Sequence, residues 1–285
     1  MDYVLTTNAL SKQYGTFKAL NGLSMHVPKG AIYGFVGKNG AGKTTLIRLI
    51  CGLQEPTAGE YTLYGRPNKD KEIVKSRRRM RAVVETPAVY LDMTAEDILK
   101  IVGLSNTGKK KAKNFSLGMR QRLGIAISLV GDPDFLVLDE PANGLDPQGI
   151  IEIRELILKL NQEQQITVLI SSHILDELSK LATHYGFIDN GRIVKEISAA
   201  ELEAACKKCV HIEVSNTKAL ARMLDEMEIE YKILSDTFAD VYAKVNVSKL
   251  VTALAKENCE VISMQERDES LESYYVNLVG GGKNE

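Results

Sequence analysis

An α/β domain built on a largely parallel sheet, followed by a small α+β domain, is the fold class this sequence predicts, and three observations predict it. Short runs that are apolar at consecutive positions (residues 31–36, 135–138 and 167–170) recur between stretches of helical periodicity, as strands buried on both faces by helices must. A glycine-rich turn joins the first of those runs to a helical stripe. Beyond Val194 the pattern changes to strand–helix–strand–strand–helix–strand, the split-βαβ or ferredoxin-like order.

Each element follows in turn. Segments 4–10 and 17–27 read as an antiparallel pair turning at Tyr14-Gly15. The strand at 31–36 enters the glycine-rich turn, and Leu46, Leu49 and Ile50 mark the helix that leaves it. Leu123, Ala126, Ile127 and Val130 have the 0, 3, 4, 7 spacing of one helix face, in a helix expected to begin near Met119. Residues 198–206 read as a linking helix. A strand at 211–214, a helix carrying Leu220, Met223, Leu224 and Met227, and strands at 231–234 and 240–245 come next. A helix with Val247, Leu250, Val251 and Leu254, a strand at 260–263, and a last helix with Leu271, Tyr274, Tyr275 and Leu278 close the chain. The expected domains are residues 1–197, a link at 198–209, and an accessory domain at 210–285.

Composition narrows the function. A chain of 285 residues with 44% apolar and 26% charged residues buries a real core. Thirty-six basic against thirty-seven acidic residues give a net charge of -1, which argues against a surface built wholly for nucleic acid or an anionic membrane. Counting glycine as a break, no run of apolar side chains exceeds four residues, whereas a spanning helix takes about twenty. The N-terminus shows no apolar signal core, and four cysteines are no disulfide framework. The expectation is a cytoplasmic protein that reaches a membrane only through a partner.

The chemistry lies first in Gly37-Lys38-Asn39-Gly40-Ala41-Gly42-Lys43-Thr44, which matches G-x4-G-K-[ST] between a strand and a helix. Glycines let backbone N–H groups turn toward phosphates, and the helix N-terminus adds partial positive charge. Lys43 suits the β- and γ-phosphates, and the Thr44 hydroxyl suits Mg²⁺; Thr45 completes the candidate loop. The strand at 135–138 ends in Asp139-Glu140. In a P-loop fold the strand-end Asp139 suits the Mg²⁺ shell, and Glu140 is placed to polarise an attacking water.

With those residues in hand, the chain over residues 2–195 resembles the nucleotide-binding subunits of ABC (ATP-binding cassette) transporters. Asn114-Phe115-Ser116-Leu117-Gly118-Met119 stands where that family has its signature peptide, Pro141-Ala142-Asn143-Gly144-Leu145-Asp146-Pro147 resembles its D-loop, and Ser171-Ser172-His173 its switch histidine. The resemblance implies an ATPase whose ATP is closed between the P-loop of one subunit and the signature of a second, in a homodimer or pseudo-dimer. It implies Tyr14 under the adenine, Ser116, Gly118 and Asp146 reaching across the dimer, His173 at the γ-phosphate, and a separate transmembrane permease. Departures are visible. The signature has Leu117 where the family has glycine, and Glu85 stands where most members have glutamine. The interval from Pro87 to Ser116 is shorter than the family's usual helical subdomain. Glu85 and the C-terminal region resemble subunits of bacitracin-resistance and lantibiotic-immunity exporters, which implies export of a peptide or antibiotic and a place on the inner face of the cell membrane.

Two other classes compete. One is a non-transport ABC ATPase acting as a mechanical switch on nucleic acid or ribosomes; a single cassette without a basic tail speaks against it. The other is a signalling module whose cassette is inactive, which the presence of Glu140 opposes. The basic runs 75–81 and 109–113 read as a solvated helix face and a loop, and no nucleic acid is expected. Cys206 and Cys209 with His211 and Cys259 form at most a weak zinc pattern. His26 and His184 read as structural or surface residues, and Tyr274 and Tyr275 as core.

Overall fold

A computed structural model describes residues 2–83, 99, 102–104, 114–205, 208–242, 247–257, 259–268 and 271–280. The chain divides into two compact units, Met1–Ala200 and Glu201–Glu285.

The first unit runs β1 (Tyr3–Tyr14), β2 (Phe17–Pro28), β3 (Ile32–Val36), α1 (Lys43–Ile50), β4 (Ala58–Leu63), β5 (Arg66–Pro67), α2 (Ile73–Arg79) and β6 (Met80–Val83). It continues with α3 (Leu117–Ser128), β7 (Phe135–Asp139), α4 (Pro147–Gln164), β8 (Thr167–Ser172), α5 (Leu175–Ser179), β9 (His184–Asp189) and β10 (Arg192–Ser198), and α6 (Ala199–Ala205) crosses the division at Ala200. Two sheets result. The antiparallel one has the order β2-β1-β4-β5. On β2, Leu23, Met25 and Val27 are buried while Gly22, Ser24 and His26 are exposed, the period of a strand with one face on the core. The second sheet has the order β10-β9-β3-β8-β7-β6; β9, β3, β8, β7 and β6 are parallel, and β10 closes one edge antiparallel. Every residue of β3 and β8 is buried, which explains their uninterrupted apolar runs. Leu20, Met25, Tyr33, Phe35, Leu46, Ile47 and Phe135 belong to one core between the sheets and α1.

The signature helix departs from the expected face. α3 begins at Leu117 rather than near Met119, and Val130 lies beyond its end. Leu123 and Ile127 are half-buried, whereas Gly124, Ile125, Ala126 and Ser128 are buried. Ala126 and Val130 of the expected face are buried, and Gly124 packs toward Val83 of β6, 3.5 Å from where its Cβ would stand, so the buried face is turned from Leu123 and Ile127 toward Gly124, Ile125 and Ser128.

The second unit runs β11 (Lys208–Val214), α7 (Thr217–Glu226), β12 (Tyr231–Ile233), β13 (Phe238–Val241), α8 (Val247–Lys256), β14 (Val261–Asp268) and α9 (Leu271–Gly280). Its sheet has the order β12-β13-β11-β14, antiparallel throughout. Ile212, Val214, Leu220, Leu224, Ala239, Val241, Leu250 and Leu254 form its own core. The helical stripes are narrower than expected: Val251 is exposed in mid-helix between buried Leu250 and Leu254, and Met227 is exposed because α7 stops at Glu226 and Glu228 takes a positive φ of 54°. β13 opens at Phe238, earlier than expected, and β14 runs to Asp268. Tyr275 is buried and Tyr274 half-buried.

The basic run 75–81 is largely consumed by the fold. Lys75 pairs with Glu72, Arg77 donates to the Tyr61 hydroxyl, Arg79 grips Asp134, and Arg81 donates to the carbonyls of Arg78 and Met80. His26, without a visible partner in sequence, sits 3.0 Å from Glu196, whose other carboxylate oxygen accepts from the buried Tyr33 hydroxyl at 2.7 Å. Burial first, and then Glu196, push the Tyr33 phenol well above its ordinary pKa. Run 109–113 and Cys206 lie outside the described residues. Among those described, no cluster of three or more His, Cys, Asp or Glu side chains is arranged for a metal, and no helix is long and apolar enough to cross a membrane.

Candidate active site

The site gathers where parallel strands end. β3 lies between β8 and β9, with Val36 beside Ser172 and Phe187, and Asp139 of β7 beside Ser171 of β8. The turns leaving β3, β7 and β8 therefore open into one crevice at the strands' carboxyl ends, where open α/β sheets hold their ligands.

The turn after β3 is locked by backbone contacts. Gly42 has φ +112°, and a Cβ on it would lie 2.6 Å from the Ala19 carbonyl oxygen. Only glycine fits there. A Cβ on Gly191 would lie 2.7 Å from the same carbonyl oxygen. The Asn21 N–H donates to Gly191 O at 2.9 Å and the Gly191 N–H to Ala41 O at 3.0 Å. Lys38, Asn39 and Gly40 stay exposed, while Gly37, Ala41 and Gly42 are buried and Thr44 and Thr45 half-buried. Lys43, 6% exposed, folds back to donate to Gly37 O at 2.7 Å and Lys38 O at 3.3 Å, with Glu140 Oε1 also 3.3 Å away.

The two carboxylates are held from both sides. Asp139 Oδ2 accepts from the Thr44 hydroxyl at 2.9 Å, and Oδ1 from the Ser171 hydroxyl at 2.5 Å. Glu140 takes a positive φ of 50°, and its N–H reaches Ser171 Oγ at 3.0 Å. Its side chain spans from Lys43 to His173 Nδ1, 2.7 Å from Oε2. Sequence reasoning missed Ser171. Its signal was present, since a hydroxyl directly after the apolar run Val168-Leu169-Ile170 of a buried strand must find a partner.

The remaining candidates lie on three other elements. Ser116 caps α3 by accepting from the Met119 N–H at 3.2 Å, a contact worth about 1 kcal/mol. Asp146 caps α4 through the Gly149 N–H at 3.0 Å. Leu117 lies over the D-loop: its Cδ2 is 3.3 Å from where a side chain on Gly144 would begin, and Leu145 is 3.8 Å from the same point on Gly118. Arg122 of α3 pairs with Glu152 of α4 at 3.1 Å. The signature and D-loop segments thus brace one another. Tyr14, 42% exposed, donates its hydroxyl to Gln54 and has Lys12 5.3 Å from its ring centre. Glu85 lies outside the described residues.

The residues fit a nucleotide and its cation. Buried Lys43 and a helix beginning at a glycine turn suit phosphate oxygens. Thr44 and Asp139 converge as two hard oxygen donors; Mg²⁺ takes one or two protein oxygens and completes its octahedron with phosphates and water.

Comparison with known proteins agrees. The family model for ABC transporters matches residues 20–143. The chain is 39% identical to the bacitracin transport ATP-binding protein BcrA of Bacillus licheniformis, over 99% of both chains. It is 41% identical to the lantibiotic transport ATP-binding protein SrtF of Streptococcus pyogenes, over 68% of this chain and 90% of that one. Among solved structures, cbiO1 from Clostridium perfringens, part of the ABC transporter complex cbiONQ, superposes with a TM-score of 0.63 at 25% identity, covering 79% of this chain and 96% of that one.

Proposed function

The chain belongs to the family of ABC transporter ATP-binding proteins, which are ATPases, and from that premise we propose that it powers export of a peptide or antibiotic through a separate membrane permease. The observation that carries this reading is the convergence of Lys43, Asp139, Glu140 and His173 at the ends of β3, β7 and β8, in a chain similar over its full length to a bacitracin transport protein.

Hydrolysis then runs by in-line attack of water on the γ-phosphate. Glu140 orients that water and accepts its proton, which the contact with His173 keeps within reach of a second base. Lys43 and the N–H groups of the loop bind the β- and γ-phosphates and oppose the charge that grows there. Thr44 and Asp139 would hold magnesium, which when bound would further neutralise the phosphoryl oxygens. Tyr14 supports the adenine ring. Ser116, Gly118 and Asp146 act on the ATP of a partner copy; that the neutral Ser116 caps the N-terminus of α3 supports an anion-facing role for that segment. The strand order and antiparallel pairing of the second unit support a ferredoxin-like reading, with a role in dimer contacts or regulation.

The experiment is co-expression with a multi-span membrane protein encoded beside this chain's gene, followed by ATPase assays with and without it. Stimulation by the permease or by bacitracin-like peptide is expected. Recovery of the chain on ribosomes or nucleic acid, with no membrane partner, would favour the mechanical switch instead. Glu85→Gln should leave ATP affinity nearly unchanged and alter that stimulation, because a carboxylate accepts hydrogen bonds where an amide also donates. Identical stimulation of both forms would make Glu85 incidental to coupling.

A further inference from the structure

We propose that Ser171 is a positioning residue that sets both carboxylates of the site at once, orienting Asp139 for its cation and fixing the backbone that carries Glu140. The proposal rests on the reading of Asp139 and Glu140 given above.

Ser171 is the last residue but one of β8 and is wholly buried. A buried hydroxyl is costly unless bonded, and this one is used in both directions. Its hydrogen goes to Asp139 Oδ1 at 2.5 Å, and a lone pair accepts the Glu140 N–H at 3.0 Å. The same N–H also reaches the Ser171 carbonyl at 3.1 Å. The register makes this possible, because Asp139 and Ser171 are direct partners across the parallel pair β7–β8.

Two consequences follow. The terminal torsion of an aspartate is broad and roughly two-fold. Anchoring Oδ1 therefore decides that Oδ2 is the oxygen turned to Thr44, 2.9 Å away. Glu140 meanwhile holds a left-handed backbone, φ +50°, which a non-glycine residue adopts only when its surroundings enforce it. Ser171 supplies that enforcement at the amide, and the side chain is thereby aimed between Lys43 and His173. Since His173 follows two residues later, one strand end organises metal ligand, base and histidine together. A merely space-filling serine would contribute stability and nothing else.

The test uses the full chain and three substitutions. Ser171→Ala keeps the backbone acceptor for Glu140 but loses the hydroxyl. It should lower kcat about tenfold, the scale of one hydrogen bond to a charged group, with the KM for ATP within about twofold. Binding of a fluorescent ATP analogue in EDTA should be unchanged, while the gain in affinity on adding Mg²⁺ should shrink about threefold. Ser171→Thr, which restores the hydroxyl, should recover both. Ser171→Cys, close in shape but a weak donor, should resemble alanine and serves if the alanine form does not fold. Wild-type kcat and Mg²⁺ gain in the alanine or cysteine form, or equal impairment of the threonine form, would overturn the proposal. Asp139→Asn and Glu140→Gln run alongside. Should those two retain the Mg²⁺ gain and the turnover, it is the assignment of the carboxylates that fails.

Discussion

The two sheets that lie in separate units collect their chemistry in different places. In the parallel sheet β3, β7 and β8 end on the same side, so residues far apart in sequence meet at an edge: Gly37, Asp139, Ser171 and His173. In the antiparallel sheet of the second unit, neighbours end on opposite sides and residues meet across a face instead. There His211 sits 2.6 Å from Asp240 and stacks on Phe238 with ring centres 5.3 Å apart, cross-strand neighbours of β11 and β13. Parallel strands build a mouth, and antiparallel strands build a surface. That contrast explains why every phosphate-site candidate belongs to the first unit.

The largest effect tests the edge. Glu140→Gln should bind ATP yet turn over about 10²–10⁴-fold more slowly, the usual loss with a general base; steady-state ATPase assays and a nucleotide-binding titration decide it, and near-normal turnover would remove Glu140 from the role. Lys43→Ala should lose nucleotide binding itself, because its charge is the buried one in the loop. Unchanged affinity in that variant would break the assignment of the edge.

A middle-sized effect tests whether the two cores are independent. Leu220 is fully buried in the second unit, and Leu220→Ala should cost that unit about 2–5 kcal/mol while nucleotide affinity stays at the wild-type value. Calorimetry and an ATP titration on the same sample would show it. A parallel fall in affinity would mean that the accessory core supports the phosphate site.

The smallest effect concerns pH. Burial pushes the Cys51 thiol, at the end of α1, up to about 12, with Arg77 opposing and Asp139 adding to the shift. The folded chain keeps a proton that the unfolded chain gives up above about 9. Stability from this group is therefore complete below that pH and drains away as pH rises toward 12. Alkylation of Cys51 at pH 8, followed by mass spectrometry, should be slow against a free thiol; rapid labelling would show that the end of the phosphate helix is open.

What could be read from sequence follows from the same contrast. The P-loop was legible because its chemistry needs fixed residue types at fixed spacing, Gly37, Gly42, Lys43 and Thr44. The strands β3, β7 and β8 were legible because burial on two faces leaves an unbroken apolar run. β4, Ala58–Leu63, escaped because its burial alternates and Gly59 interrupts it. Ser171 was seen as part of a motif, but its partners stand 31 and 32 positions away, and only strand register brings them together. The exposed Met227 shows the limit of periodicity: a stripe continues in sequence after the helix has ended. The face of α3 was read in part: Ala126 and Val130 are buried, while Leu123 and Ile127 are half-buried and Gly124 and Ser128, which no apolar stripe marks, are buried instead.

The Ala19 carbonyl, wedged against Gly42 and Gly191, has a consequence for the order in which the protein is made. The phosphate loop leaves the ribosome early, yet one of the backbone segments that shape it comes from the turn between β9 and β10, and its strand β3 needs both β8 and β9 as neighbours. At ordinary synthesis rates of about 5–20 residues per second, the loop waits on the order of ten seconds for those partners. During that interval the nascent chain holds the nucleotide-binding motif without the shape to use it. Nucleotide capture therefore belongs to the end of the first unit's synthesis, and a chain halted before Gly191 carries the motif without the site.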